Sequence, residues 1–205
     1  MKITDIKILR ADRYLFINVE TDTGITGIGE AGAWSFPEAT IGALMEFRSS
    51  LIGEDPFHIE HHWQSLYRWT YFRGSIISSA ISAIDIALWD IKGKALGVPV
   101  YELLGGKCRD RVRTYAPVFE FSAEKMAEGC LMLKEKGFTA ARLMITGPVR
   151  AERGNIQDSI NSYRVQSAVD KVQKCREAVG RDFDLCLEVH RSMNPAEASV
   201  FVKSV

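Results

Sequence analysis

The segment AISAIDIALWDIKGKALGVPVYELLG, residues 80–105, says more about this chain than the rest of its sequence together. Its first part, to Leu96, is rich in helix formers and apolar on nearly every side, so this helix must be buried on most sides. Gly97 ends the helix, and Pro99 prevents its resumption. Four charged residues within it would be expensive to bury unless they are paired or lie at a helix end. They are Asp85, Asp90, Lys92 and Lys94.

The spacing of this stretch resembles the signature of the mandelate racemase and muconate lactonizing enzyme branch of the enolase superfamily. The matching pattern is Ala-x-Ser-Ala-Ile-Asp-x-Ala-Leu-x-Asp-Ile-x-Gly-Lys, followed by Pro-Val and Leu-Leu-Gly. A buried helix of any α/β protein would explain the apolar residues, but not Asp85, Gly93-Lys94 or the Leu-Leu-Gly ending. The signature identifies a scaffold, and a scaffold alone does not fix a reaction.

Composition narrows the class of protein. A chain of 205 residues with 46% hydrophobic content can bury one good core or two modest ones. A net charge of zero and a pI near 6.9 argue against a nucleic-acid or membrane partner. The sequence has no apolar run of membrane-spanning length and no signal-peptide pattern. Its four cysteines lack paired spacing, which predicts reduced thiols in a cytoplasmic protein.

The first hundred residues predict an α+β domain in which strands come first and helices follow. Alternating apolar and polar residues predict strands at 3–9, 14–20 and 26–30. Connections this short favour an antiparallel meander. Helices are predicted at 37–52, 56–70 and 75–96.

From residue 109 the pattern changes to alternating strands and helices, which implies parallel strands joined by right-handed crossovers. The predicted strands are 111–117, 139–145 and 183–190; the predicted helices are 123–136, 156–179 and one from residue 195. The resemblance implies an α+β N-terminal capping domain, residues 1–108, followed by the first three βα units of a modified TIM barrel, residues 109–205.

Three strands do not make a barrel, because a complete one needs eight strands and about 250 residues. An open sheet of three barrel strands would also expose an apolar edge and face to water. We therefore expect a parent polypeptide of about twice this length, by the usual size of the barrel. This half by itself is expected to be inactive, since the family draws further metal ligands and acid-base groups from later strands.

The third barrel strand carries the most informative candidate residues, Glu188 and His190. Period-two geometry predicts that both point into the barrel mouth. A carboxylate suits Mg²⁺, and a histidine can move a proton near neutral pH. In acid-sugar dehydratases of the family, an acidic residue-x-His at this position supplies the first magnesium ligand and the acid that protonates the departing hydroxyl. By this resemblance Glu188 is the metal ligand and His190 the catalytic acid. A salt-bridged surface glutamate and a capping histidine are the alternative.

The second barrel strand carries Arg142 and Met144, where racemases and cycloisomerases of the family have Lys-x-Lys. The second of those lysines abstracts the α-proton, and a thioether cannot replace it. Some mannonate-type dehydratases use an arginine here with a tyrosine from the following loop, because a guanidinium lowers the pKa of a nearby phenol. Arg142 is therefore either part of a base dyad, with Tyr163 as the candidate partner, or a clamp for the substrate carboxylate.

Three further sequence features give less specific predictions. The loop 29–36 resembles the specificity loop of the capping domain, and Trp34 is its candidate substrate contact or a packing anchor. The histidines of FHIEHHW are predicted to lie on a solvated helix face, because adjacent helical positions point apart. An aromatic stripe is predicted to form core and subunit contacts; it comprises Trp63, Tyr67, Trp69, Tyr71 and Phe72.

The resemblance as a whole implies a lyase of the acid-sugar dehydratase type. With Mg²⁺, such an enzyme removes an α-proton to form an enediolate, expels the β-hydroxyl and releases a 2-keto-3-deoxy acid. The implied partners are a small sugar-acid substrate and further copies of the chain in a homo-oligomer. Two alternatives stay open: an epimerase, racemase or cycloisomerase of the same superfamily, against which Met144 argues, and a truncated, non-catalytic subunit.

Overall fold

The structure is a computed structural model that describes residues 1–32, 36–146, 161–190 and 192–205, with residues 161–163 described as backbone only. The chain divides into two compact units, Met1–Asp110 and Arg111–Val205. Each unit has its own cluster of buried apolar side chains. Among the described residues, no helix is both long and apolar enough to cross a membrane.

The first unit pairs an antiparallel sheet with helices, as the sequence predicts. Its strands, in sheet order, are β1 (Ile3–Ala11), β2 (Tyr14–Thr21) and β3 (Thr26–Ala31). Its helices are α1 (Pro37–Leu51), α2 (Ile59–Trp69), α3 (Ser75–Leu96) and α4 (Val100–Leu103). The short α4, which the sequence did not predict, begins directly after Pro99. The predicted α+β class of this unit is confirmed.

Helix α3 lies against β3 so closely that only glycine fits at two positions of the strand. A Cβ atom on Gly27 would lie 2.0 Å from the carbonyl oxygen of Ala87. A Cβ atom on Gly29 would lie 1.9 Å from the carbonyl oxygen of Ala83. The small residues of the signature on α3 therefore match small residues on β3, and the pair packs backbone against backbone.

Two charged signature residues of α3 bond to the backbone of β3. The carboxylate of Asp90 accepts the N–H of Ile28 through Oδ2 at 2.9 Å. Lys94 donates from Nζ to the carbonyl oxygen of Thr26 at 2.8 Å and to Asp90 Oδ2 at 2.7 Å. The charges thus satisfy backbone groups of the edge strand β3, which explains why they stand on a largely apolar helix.

The other two charges of α3 have different surroundings. The Nζ atom of Lys92 lies 5.3 Å from the ring centroid of Trp89 and 5.8 Å from that of Phe57, within the range of cation–π attraction. Asp85 is half-buried, and its burial, with the nearby negative charge of Glu60, raises the pKa of its carboxyl group.

The substitution Gly29→Ala tests this close packing. We expect the free energy of unfolding to fall by about 3 kcal/mol, the upper end for an overpacked site, because the new methyl group meets helix backbone that has no rotamer to change. Urea unfolding of the chain followed by circular dichroism measures the change. Gly42→Ala is the matched control, since a Cβ on Gly42 meets nothing within 4 Å. Equal loss of stability in both variants would contradict the packing argument.

The second unit is a parallel three-stranded sheet with helices between its strands, as predicted. Its elements in chain order are β4 (Ala116–Val118), α5 (Ala123–Glu135), β5 (Ala140–Met144), α6 (Asn161–Val179), β6 (Asp184–Glu188) and α7 (Pro195–Ser204). The sheet order is β4-β5-β6. The predicted fold class, a capping domain followed by βα units, is confirmed for both units.

Strand β5 has two distinct faces. Ala141, Leu143 and Ile145, which follows the strand directly, are buried in the core formed with α5 and α6. The alternate residues Arg142 and Met144 are half-buried on the opposite face. Because side chains alternate along a strand, one face of β5 packs against the helices and the other face is available to polar groups.

Some predicted boundaries are wrong. The first barrel strand covers only Ala116–Val118 rather than 111–117, and the third ends at Glu188 rather than at residue 190. The predicted helix 156–179 is observed as α6 from Asn161; its first part lies outside the described residues.

Two predictions about side-chain burial near α2 are wrong in part. His62 is buried, not solvated, and its Nε2 lies 2.8 Å from the carbonyl oxygen of Asp55. That carbonyl supplies the hydrogen-bond partner that a buried imidazole needs. Tyr71 and Phe72 are not core residues, since they are 94% and 93% exposed in the single chain, while their predicted subunit contact stays a prediction. They lie in the connection that follows α2, where their rings are open to solvent.

Candidate active site at the strand ends

The candidate site lies where β5 and β6 end side by side. Met144 is in register with Glu188, and Arg142 is in register with Cys186. Residues in register point to the same side of a sheet, so these four side chains share one face. Leu185 and Leu187 of β6 pack on the other face, against the core. The sequence pattern therefore brings the candidate polar groups together away from the helices.

Arg142 and Glu188 form an ion pair on this face. The distance from Arg142 Nη1 to Glu188 Oε2 is 3.4 Å, and each side chain is 29% exposed. This distance is longer than the usual 2.7–3.2 Å of an N–H···O hydrogen bond, so the contact is mainly electrostatic. A cation held loosely beside a carboxylate can turn towards an added anionic group without breaking a strong bond.

His190 lies next to the same carboxylate, but for a reason other than the predicted one. Strand β6 ends at Glu188, and His190 has a left-handed backbone with φ of 45°. Its backbone N–H donates to Glu188 Oε1 at 2.9 Å, and its Nδ1 lies 3.6 Å from that oxygen. The turn after the strand, not the pleat of the strand, brings the imidazole to Glu188.

Lys171 of α6 contacts the backbone just after β5, beside the candidate site. Its Nζ donates to the carbonyl oxygen of Ile145, the first residue after β5, at 3.0 Å. Burial lowers the pKa of its ammonium group. The sequence pattern did not single out Lys171, because a lysine inside an amphipathic helix gives no signal of an inward hydrogen bond.

Two candidate residues have no described side chain. Tyr163 lies within the backbone of α6, and its side chain is outside the described part of the structure. Trp34 lies outside the described residues altogether. The roles proposed for them from the sequence stay predictions.

The side chains at the strand ends could supply part of the ligand set of a magnesium ion. Glu188 offers a carboxylate oxygen, the ligand type that Mg²⁺ prefers. Among the described residues, no group of three or more histidine, cysteine, aspartate or glutamate side chains could hold a metal ion. A magnesium site that includes Glu188 would therefore need ligands from outside the described residues.

Sequence comparison connects this arrangement to known enzymes. Residues 4–105 match the N-terminal domain of the mandelate racemase / muconate lactonizing enzyme family. A D-galactonate dehydratase from Verminephrobacter eiseniae is 40% identical over 207 residues, covering 100% of this chain and 52% of the relative. One from Ralstonia pickettii is also 40% identical, with the same coverage. The chain therefore spans about half the length of the curated relatives it matches.

Comparison with solved structures finds the same superfamily as the sequence comparison. A member of the enolase superfamily from Salmonella Typhimurium matches with a TM-score of 0.90 and 32% identity, over 99% of this chain and 58% of that one. An enolase from Pantoea ananatis with bound D-gluconate and Mg matches with a TM-score of 0.88 and 30% identity, over 99% of this chain and 57% of that one. These matches cover both units of the chain.

The buried α3 with its close contact to β3, the parallel βα units and the family match all agree with the resemblance of residues 80–105. The chain belongs to the mandelate racemase and muconate lactonizing enzyme family of the enolase superfamily.

Proposed function

We propose that the whole protein, at the length of its relatives, is a hydro-lyase that converts a sugar acid into a 2-keto-3-deoxy acid. The observation that carries the proposal is the contact of Glu188 with both His190 and Arg142 at the ends of β5 and β6. D-Galactonate is the first substrate to test, because relatives 40% identical to this chain are D-galactonate dehydratases. The neighbour with bound D-gluconate supports the same chemical class of substrate.

Glu188 is the residue that would hold a magnesium ion, together with ligands outside the described residues. When bound, the metal supplies positive charge that stabilises negative charge developing on a substrate carboxylate. Arg142 and the His190 N–H orient the Glu188 carboxylate by contacting its two oxygens separately. The neighbouring structure with bound Mg supports the use of this metal.

His190 is the residue proposed to protonate the departing hydroxyl group. Hydroxide is a poor leaving group, so an acid placed at the β-oxygen accelerates its loss as water. The imidazole is half-exposed on the open face, with 49% of the side chain accessible, and Glu188 lies beside Nδ1. The Nδ1 side of the ring faces the Glu188 carboxylate. The other ring nitrogen, Nε2, is then the candidate proton donor.

Arg142 has two candidate roles. As a clamp it would bind the substrate carboxylate through its planar fork of N–H donors. As part of a base dyad it would lower the pKa of a tyrosine, with Tyr163 as the candidate. The long 3.4 Å contact to Glu188 leaves the guanidinium able to reorient for either role.

Met144 argues against racemisation or cycloisomerisation through a lysine base on β5. It lies directly opposite Glu188 in the register of the sheet, on the same face as Arg142. Its thioether is a weak acceptor that cannot take up a proton from carbon. Proton abstraction must therefore be carried out by another group, which favours dehydration over the lysine-based reactions.

A substrate panel tests the proposed function. The whole protein is incubated with Mg²⁺ and a set of aldonic and aldaric acids, and 2-keto acid products are measured. We expect a 2-keto-3-deoxy acid from at least one acid of the panel, D-galactonate first, and loss of turnover when a chelator removes the metal. Interconversion of epimers without release of a keto acid would contradict the dehydratase proposal.

A further inference from the structure

Two hydroxyl groups tie the end of β5 to the segment that carries His190. Ser192 Oγ donates to Thr146 Oγ1 at 2.6 Å, and Thr146 Oγ1 donates to the carbonyl oxygen of Val189 at 3.3 Å. The same carbonyl accepts the backbone N–H of Ser192 at 3.1 Å, and Ser192 Oγ also lies within hydrogen-bond distance of it. The residues before and after His190 are thus held by one small network that starts from the neighbouring strand.

This network matters because His190 has a left-handed backbone, with φ of 45°, which is uncommon for a residue with a side chain, although histidine adopts it more often than most. Such conformations persist only where the surrounding structure fixes them, and they concentrate at functional sites. Two independent constraints act here: the hydroxyl network on Val189 and Ser192, and the bond from the His190 N–H to Glu188 Oε1.

The position of the hydroxyl pair points to a role at the site. Thr146 and Ser192 are half-buried, and both lie beside the candidate site rather than in either apolar core. Lys171 fixes the carbonyl oxygen of Ile145, the residue before Thr146, so the β5 side of the network is anchored. A rigid anchor on β5 allows the hydroxyls to set where the segment after β6 lies.

We infer that Thr146 and Ser192 are positioning residues that hold His190 in its left-handed conformation, with the imidazole beside Glu188. The inference rests on the proposed function, since it assigns these hydroxyls to the placement of the proposed acid. Neither side chain is assigned a contact with substrate. Their effect acts through the backbone of Val189 and Ser192, and so on the step in which His190 donates its proton.

The test uses the whole protein with Thr146→Val and Ser192→Ala, which remove a hydroxyl, and Thr146→Ser, which keeps it. We expect the first two to lower kcat for dehydration by about 10- to 100-fold, since a displacement of about 1 Å of a reacting group can cost 10²-fold. In these two variants KM and the exchange of the substrate α-proton with deuterated solvent should stay at wild-type values, and Thr146→Ser should keep the wild-type kcat. Ser199→Ala is the control, because the Ser199 hydroxyl bonds the Pro195 carbonyl within α7, away from this network.

A second readout does not depend on activity. In protein labelled with ¹³C-histidine, the Cα and Cβ chemical shifts of His190 report its backbone conformation, and the signal absent from a His190→Asn sample identifies it. We expect left-handed shifts in the wild type and in Thr146→Ser, and a move towards extended values in Thr146→Val and Ser192→Ala. Unchanged shifts and unchanged kcat in the hydroxyl-free variants would overturn the inference. Equal loss of exchange and dehydration in those variants, with Thr146→Ser impaired to the same extent, would also overturn it. A wild type that dehydrates no sugar acid would refute the proposed function, and the chemical shifts would then decide the positioning role alone.

Discussion

Replacement of His190 by asparagine is expected to lower the rate of dehydration by about 10²–10⁴-fold, the usual contribution of a positioned general acid. Asparagine also tolerates the left-handed backbone that His190 adopts with φ of 45°, so the fold around the site should persist. The amide can donate a hydrogen bond but cannot transfer a proton at neutral pH. Steady-state measurement of keto acid formation by the whole protein gives the rate.

The exchange of the α-proton with deuterated solvent separates the two steps of the reaction. If a different group removes that proton, exchange should survive in the His190→Asn variant while dehydration is lost. His61→Asn serves as the control, because His61 is an exposed residue of α2 in the other unit. Loss of exchange together with dehydration would make His190 the base and would contradict the proposed division of roles.

Replacement of Glu188 by glutamine is expected to lower the affinity for Mg²⁺ by more than about 100-fold, since residues that only support metal ligands are already worth roughly 10–100-fold. Turnover should fall with it. The change keeps the shape of the side chain and removes the negative charge that faces Arg142 Nη1 at 3.4 Å. Titration of the whole protein with Mg²⁺ by calorimetry, alongside an activity assay, measures both effects.

Glu177→Gln is the matched control, because Glu177 lies on α6, away from the strand ends that carry Glu188. It should bind Mg²⁺ and turn over substrate as the wild type does. An unchanged magnesium affinity in Glu188→Gln would show that Glu188 is not a ligand, and the salt-bridged surface role considered from the sequence would then be correct.

The sequence predicted the buried signature helix well because its signals are local. Helix α3 spans Ser75–Leu96, the predicted range, and ends at Gly97, whose φ of 68° suits a residue without a Cβ. What the sequence could not show is why the signature needs its small and charged residues. Ala83 and Ala87 allow the approach of Gly29 and Gly27, and Asp90 and Lys94 bond to the backbone of β3.

The candidate site was predicted in composition but not in geometry. Glu188 and His190 lie together, yet the strand stops at Glu188 and a left-handed residue replaces the expected continuation of the pleat. A histidine carries no sequence signal for positive φ, unlike glycine. The network of Thr146 and Ser192 was also missed, because hydroxyl side chains 46 positions apart in the chain show no pattern of contact.

The wrong predictions around α2 also arise because burial depends on contacts that a local sequence pattern does not show. The burial of His62 depends on the carbonyl of Asp55, seven positions earlier, which comes into reach only when the segment before the helix folds back. The exposure of Tyr71 and Phe72 depends on where the connection after α2 lies. Aromatic content favours a core position on average, but it does not determine which side chains a neighbouring element covers.

The central claim is that Glu188 and His190 together carry the chemistry of a sugar-acid dehydratase. A crystal structure of the whole protein as the His190→Asn variant, with Mg²⁺ and D-galactonate, tests it most directly. We expect a metal ion at about 2.0–2.1 Å from a Glu188 carboxylate oxygen. We also expect the amide of the introduced asparagine within hydrogen-bond reach of the substrate β-oxygen, about 2.6–3.2 Å. A metal bound without Glu188, or a substrate whose β-hydroxyl faces away from position 190, would refute these roles of Glu188 and His190.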